Sequence, residues 1–240
     1  MKGAISALLD NMNSKIFKAG ILIVLLVVPA LVFLFLKTFG DNKFSLPYYF
    51  PELDESGHAI VEKGDTLFHK IQDFELVSQL NSPVRLSDFD GEIKIVSFFF
   101  SRCGTVCPIL NTNLSRVNET FKDNIGVEFL SITVDPNFDT PEVLEAYADE
   151  ISPGLTNWYF LSGDKEYIYN LALKGFKLPV SDASVYTNEP LDVDEMFIHS
   201  EKVLLLDGDN FVRGIYDGTE LEEMERIRLE MKILTDIMKK

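Results

Sequence analysis

The apolar positions of this chain follow three patterns. Phe17–Leu36 is apolar almost throughout, with Lys18 near its edge as the one charge. At about 1.5 Å per helical residue, this stretch can cross a hydrocarbon core of ~30 Å, and Pro29 inside it is tolerated in such a setting. Ile93–Phe100 is a shorter, largely apolar run of the kind found in a central strand buried on both faces. The remaining segments alternate between short strand-like runs and helical spacing. Strands are expected at Asp73–Gln79, Val84–Leu86, Val127–Val134 and Trp158–Ser162, and as a hairpin of Val203–Asp207 with Phe211–Ile215 turning through Gly208-Asp209-Asn210. Helices are expected over Val106–Lys122, where Leu110, Leu114, Val117 and Phe121 share a face, and over Pro141–Glu150, Lys165–Leu173 and Glu220–Lys240.

Strands alternating with helices, closed by a hairpin and a last helix, predict an α/β protein with a thioredoxin-like fold, a mixed central sheet flanked by helices, preceded by a transmembrane helix. The expected divisions are a short cytoplasmic N-terminus (1–16), the anchor (17–36), a linker or lead-in (37–64) punctuated by Pro47, Pro51 and Gly57, and the folded domain (65–240). A cleaved signal peptide is the competing reading of the apolar stretch. The run is long for that, and Lys37-Thr38-Phe39-Gly40 makes a poor cleavage site. Lys2, Lys15 and Lys18 precede the apolar core against Asp10 alone, which favours an amino terminus in the cytoplasm and the domain outside. The first arginine is Arg85, which argues against a mitochondrial presequence.

Charge narrows the partners. From Asp41 onward the chain carries 18 basic and 37 acidic residues, a net of −19. Phosphate contact needs a basic surface, so no nucleic-acid partner is expected; the acidic field serves solubility or attracts cations and basic protein patches.

The chain has two cysteines, Cys103 and Cys107, in Cys103-Gly-Thr-Val-Cys107-Pro108, directly after the apolar run Ile93–Phe100. Residues four apart share a helix face, and a helix start favours thiolate over thiol. Such a pair can bind a soft metal, exchange disulfides or bridge to itself. A bridge over three intervening residues closes too small a loop to staple much, so a purely structural role explains it poorly. Of the three histidines, His58 and His69 lack ligand neighbours at motif spacing and are expected in surface or packing roles. His199 lies just before the hairpin strand Val203–Asp207, in a loop that thioredoxin-like folds bring beside the cysteine turn. Two thiolates with one imidazole suit copper as Cu(I) or Cu(II), whereas structural zinc takes four closed ligands.

Three stretches carry a family resemblance. Phe98-Phe99-Phe100-Ser101-Arg102-Cys103-Gly104-Thr105-Val106-Cys107-Pro108 resembles the copper-site signature of the Sco/SenC family. Ser131–Pro136 with Asp139–Leu144, and the His199 segment with Leu204–Gly208, are similar to two further family motifs. The resemblance spans roughly Gly64 to Leu234. It implies a thioredoxin-fold copper chaperone, held in the bacterial inner membrane by a single pass with its domain on the periplasmic or extracytoplasmic side. Its metal ligands would be Cys103, Cys107 and His199, with Asp135 near the site. The implied partners are the copper-centre subunit of cytochrome c oxidase, whose dinuclear centre it helps to metallate, an upstream copper donor, and an extracytoplasmic thiol reductant. Two departures stand out: Ser101-Arg102 precedes the first cysteine where many members have Thr-His or Thr-Asn, and Ile198 stands where many have Asp. Arg102 sets a fixed positive charge beside the thiols.

The competing function is a thiol–disulfide oxidoreductase acting through Cys103 and Cys107 on the cysteines of exported or membrane proteins. Its usual motif has two intervening residues rather than three. A peroxidase is weaker still, because Gly104 stands where an activating Thr is expected three before Cys107. A pure interaction module would leave the cysteine pair without a role.

Overall fold

The structure is a computed structural model that describes residues 18–35, 45–122, 126–154, 156–182, 197–198 and 201–238. It divides into two units, Met1–Phe44 and Ser45–Lys240. In the first, α1 (Lys18–Phe35) is a helix long and apolar enough to cross a membrane, with none of its hydrophobic side chains buried.

In the second unit the elements run β1 (Val61–Glu62), β2 (Asp65–Thr66), β3 (Glu75–Ser78), β4 (Pro83–Arg85), β5 (Ile93–Phe99), α2 (Val106–Phe121), β6 (Val127–Thr133), α3 (Pro141–Ile151), β7 (Trp158–Ser162), α4 (Lys165–Asn170), β8 (Ser181–Asp182), β9 (Phe197–Ile198), β10 (Lys202–Leu206), β11 (Val212–Asp217) and α5 (Leu221–Met238). A seven-stranded sheet has the order β11-β10-β5-β6-β7-β3-β4. The three central strands β5, β6 and β7 are parallel, and the flanking strands pair antiparallel. This is the thioredoxin-like arrangement that the alternation of patterns predicts.

β5 lies inside the sheet between β10 and β6, and every one of its side chains is buried, including Lys94 and Ser97. Ser97 and Ser131 share a hydrogen bond at 2.9 Å, and Trp158 Nε1 donates to Ser131 Oγ at 2.9 Å, so the polar atoms of this interior row satisfy one another. One helix differs from expectation. After α4 the chain continues as a π-helical turn, Leu171–Gly175, in which Phe176 N–H donates to Leu171 O at 2.9 Å. The wider turn carries Phe176 into the core, against Phe74 and Phe98.

From Ser45 onward the lead-in is more ordered than its composition suggests. Leu46 is buried, and Tyr48 packs on Phe68 and Phe211. Gly64, at φ +99°, turns the short β1–β2 hairpin. The buried Arg213 of β11 holds this segment: it donates to Leu46 O at 2.5 Å and Pro47 O at 3.1 Å, pairs with Asp207 at 2.9 Å, and lies over the Tyr48 ring at 3.9 Å. Asp207 belongs to the β10–β11 turn, where Gly208 O accepts from Gly91 N–H just before β5. The chain therefore enters the sheet at the end where β5 starts.

Candidate metal and thiol site

The opposite end of β5 carries the chemistry. Beyond Phe99 the chain turns, with Cys103 N–H donating to Phe100 O at 3.2 Å, and α2 begins at Val106. Both cysteines are buried, Cys103 at 7 % exposure and Cys107 at 0 %. Thr105 occupies the N-cap position but its side chain makes no capping bond. The Cys103 sulfur takes part of that role by accepting the backbone N–H of Cys107 at 3.4 Å; Thr105 Oγ1 stands 3.9 Å from the same sulfur. An N–H of a helix's first turn aimed at sulfur stabilises the anionic form, the form that binds metal and attacks disulfides. Pro108 follows in the same turn, where a missing N–H costs no intrahelical bond.

Beneath the pair, Tyr147 of α3 stacks on Phe99 with ring centroids 5.3 Å apart, and its hydroxyl accepts from Asn111 Nδ2 at 2.7 Å. Burial pushes the Tyr147 hydroxyl pKa up, and negative charge on Cys107 and Cys103 pushes it further. It stays a neutral hydroxyl. Asn111, one turn after Cys107, is fully buried, and its Oδ1 has no partner among the described residues.

The acidic groups around the turn are occupied. Asp135, the expected neighbour of the site, is ion-paired with Arg102, accepting from its Nη2 and from its Nε at 3.1 Å. The guanidinium also lies over the Phe138 ring at 4.3 Å. The positive charge that Arg102 brings next to Cys103 is thus compensated locally. Asp139 is wholly buried and accepts from Ser101 N at 3.2 Å, from Ser101 Oγ and from Thr133 Oγ1. Burial raises its pKa and these bonds oppose the rise. With both carboxylates engaged, the donors that the turn offers beside them are the two cysteine sulfurs, a soft set. Among the described residues no three metal-ligating side chains converge.

The structure thus brings Cys103 and Cys107 together and puts Asp135 one residue away, on Arg102. His199 lies outside the described residues; its neighbours Phe197–Ile198 pair with Ser181–Asp182 as β9 with β8. His58 is exposed beside Asp54, and His69 bonds Gly175 O at 2.8 Å, both away from the cysteines. Sequence reasoning met Ser101, Thr133 and Asp139 only as members of the family-like motifs, without a role for their side chains, and did not single out Asn111 or Tyr147. Asp139 hides in Asp139-Thr140-Pro141, which reads as an ordinary helix start. The signal for Asn111 is a polar residue on the apolar Leu110–Leu114–Val117 side of α2.

The family model described as SCO1/SenC matches residues 63–233. The SCO1 protein homolog of Bacillus subtilis is 29% identical over 170 residues, covering 70% of this chain and 84% of that protein. The solved structure of BsSco, described with a disulfide switch and as a member of the Sco family of cytochrome c oxidase assembly proteins, superposes with a TM-score of 0.59 at 27% identity, covering 70% of this chain and 94% of that one. Copper-bound ScoI of Bradyrhizobium japonicum shares the fold, with a TM-score of 0.56 at 22% identity, covering 68% and 98% of the two chains.

Proposed function

Since the chain belongs to the SCO1/SenC family, we propose that it is a membrane-anchored copper chaperone that supports metallation of the dinuclear copper centre of cytochrome c oxidase. The observation that carries the reading is the buried Cys103–Cys107 pair at the carboxyl end of β5, with the Cys107 N–H on the Cys103 sulfur. Two thiolates hold Cu(I), and His199, the third ligand in this proposal, extends the set to Cu(II). The engaged state of Asp135 and Asp139 supports a soft cargo over Ca²⁺ or Mg²⁺, which require free oxygen ligands. The helix α1 supports anchoring, and the lysines before it favour a domain on the extracytoplasmic side. There the copper-centre subunit of the oxidase, an upstream copper donor and a thiol reductant would be its partners.

The test is anaerobic titration of the reduced chain with Cu(I). One copper per chain is expected, lost in Cys103→Ala and in Cys107→Ala. Retention of one tight copper by the double variant would overturn the assignment. The thiol–disulfide oxidoreductase reading keeps a specific support, the disulfide switch described for BsSco. It gains if the reduced chain binds no copper yet reduces a protein disulfide catalytically.

A further inference from the structure

The two residues that lead into Cys103 are each held from the β6–α3 loop, and the holds are joined. Ser101 gives its N–H and its hydroxyl to Asp139. Arg102 gives its guanidinium to Asp135. Thr133, the last residue of β6, donates its hydroxyl to Asp139 and accepts the Asp135 N–H at 3.0 Å. Asp139 N–H closes the loop on Asp135 O at 2.9 Å, and Val134 N–H fixes the loop to Phe99 O at 2.8 Å. A ring of hydrogen bonds thus runs from Ser101 through Asp139, Thr133 and Asp135 to Arg102, and its two ends are consecutive residues of the turn.

We propose that Asp139 is a positioning residue for Cys103: through Ser101, and with Thr133 tying it to Asp135, it fixes the turn so that the Cys103 sulfur stays on the Cys107 N–H. Burying a carboxylate is costly unless it is hydrogen-bonded. Asp139 takes three donors, two from Ser101 and one from Thr133. An interior aspartate serving only to satisfy Thr133 would not need both Ser101 donors. With the ring open, Ser101–Arg102 loses its hold on one side, the Cys103 sulfur leaves the helix start, and the arrangement of two separate sulfurs loses stability relative to the bridged pair.

The copper arm of the test rests on the chaperone reading; the thiol arm does not. Asp139→Ala removes the acceptor. Asp139→Asn restores the geometry without the charge, because its Oδ1 accepts from Ser101 N–H and Thr133 O–H while its Nδ2 donates to Ser101 Oγ. Thr133→Val removes the other link and keeps the side-chain shape should Asp139→Ala fail to fold. The full chain is equilibrated with glutathione, two cysteine thiols and one glutathione disulfide giving one Cys103–Cys107 disulfide and two glutathione thiols, and the thiols are counted. Asp139→Ala and Thr133→Val are expected to shift this equilibrium toward the protein disulfide by about fivefold or more, with Asp139→Asn within about twofold of the parent. The Cu(II) absorption band should move in the same two variants and return in Asp139→Asn. A lowered thermal midpoint with an unmoved equilibrium would reduce Asp139 to a structural role and overturn the proposal. An equal shift in Asp139→Asn would assign the effect to charge and overturn it as well. If the parent binds no copper, the chaperone reading falls and the glutathione equilibrium still decides the positioning role.

Discussion

Lys94 is a charge buried in the middle of a seven-stranded sheet, and replacing it with methionine gives a test with a calculable size. Its ammonium has no solvent exposure and donates to Phe89 O at 3.1 Å and Asn210 Oδ1 at 2.6 Å. Burial lowers its pKa from 10.5 to about 8, against the opposing pull of Asp90, Asp207, Glu92 and Asp209. In the unfolded chain the group keeps its proton up to the ordinary lysine range, so between the two pKa values the unfolded state binds more protons and stability rises with pH. Below the folded pKa the penalty on the native state is at most about 3 kcal/mol; roughly 2 kcal/mol of it disappears between about pH 7 and about pH 9.5. Methionine keeps the length and abolishes the titration. It also leaves Asn210 Oδ1 without its donor, a cost of ~1–3 kcal/mol that does not vary with pH, while Phe89 O keeps the Glu92 N–H at 3.1 Å. The quantity to measure is therefore a difference of differences: urea unfolding of the parent and of Lys94→Met, reduced, at both pH values, starting each chain at Ser45. The parent should gain about 2 kcal/mol over the variant on going to the higher pH, or some 4–8 °C in midpoint for a domain of this size. Parallel pH dependence in the two proteins would show that Lys94 keeps its charge without penalty, and that the hydrogen bonds outweigh burial.

Glu128 has the opposite sign. Its Oε2 is buried with no partner among the described residues, and burial together with Glu92 raises its pKa to about 7. The native state then holds a proton that the unfolded chain has released, so stability falls as pH rises from the ordinary carboxylate range to about 7. Glu128→Gln should raise the urea midpoint above about pH 7 and leave it nearly unchanged at about pH 4; a uniform effect at both would exclude titration as the cause. His199→Ala should weaken Cu(II) more than Cu(I), because two thiolates can hold Cu(I) almost linearly whereas Cu(II) needs further ligands. An unchanged Cu(II) spectrum in that variant would remove His199 from the ligand set.

The frame of the domain is legible in the chain because its strands are buried strands. Ile93–Phe99 and Trp158–Ser162 are largely apolar runs, and the helices α2 and α3 start at a cysteine-proline pair and a Thr-Pro pair that fix where each begins. The cysteine pair is legible for the same reason, since a strand followed at once by a helix start leaves little freedom in the turn. What escapes sequence reasoning is long-range. Asp139 and Ser101 are 38 positions apart and meet only because β5 and β6 pair in parallel register, Phe99 beside Thr133. Arg102 reads as an uncompensated charge until the fold brings Asp135 to it. Leu46 and Tyr48 read as tether because their partner, Arg213, lies 167 residues from Leu46.

That arginine has a mechanical consequence. Any pull arriving along the chain from before Ser45 is taken up at Leu46 and Pro47 by the guanidinium of Arg213, whose ion pair with Asp207 and stacking on Tyr48 spread the load into the β10–β11 turn. This grip lies at the start of β5 and the sulfurs at its finish, with the whole seven-residue strand and its two hydrogen-bonded neighbours in between. A displacement of Leu46 and Pro47 therefore meets the Arg213 grip and the paired strands before it reaches the turn that holds Cys103. The end of the sheet that clasps the incoming chain is separate from the end that carries the thiols.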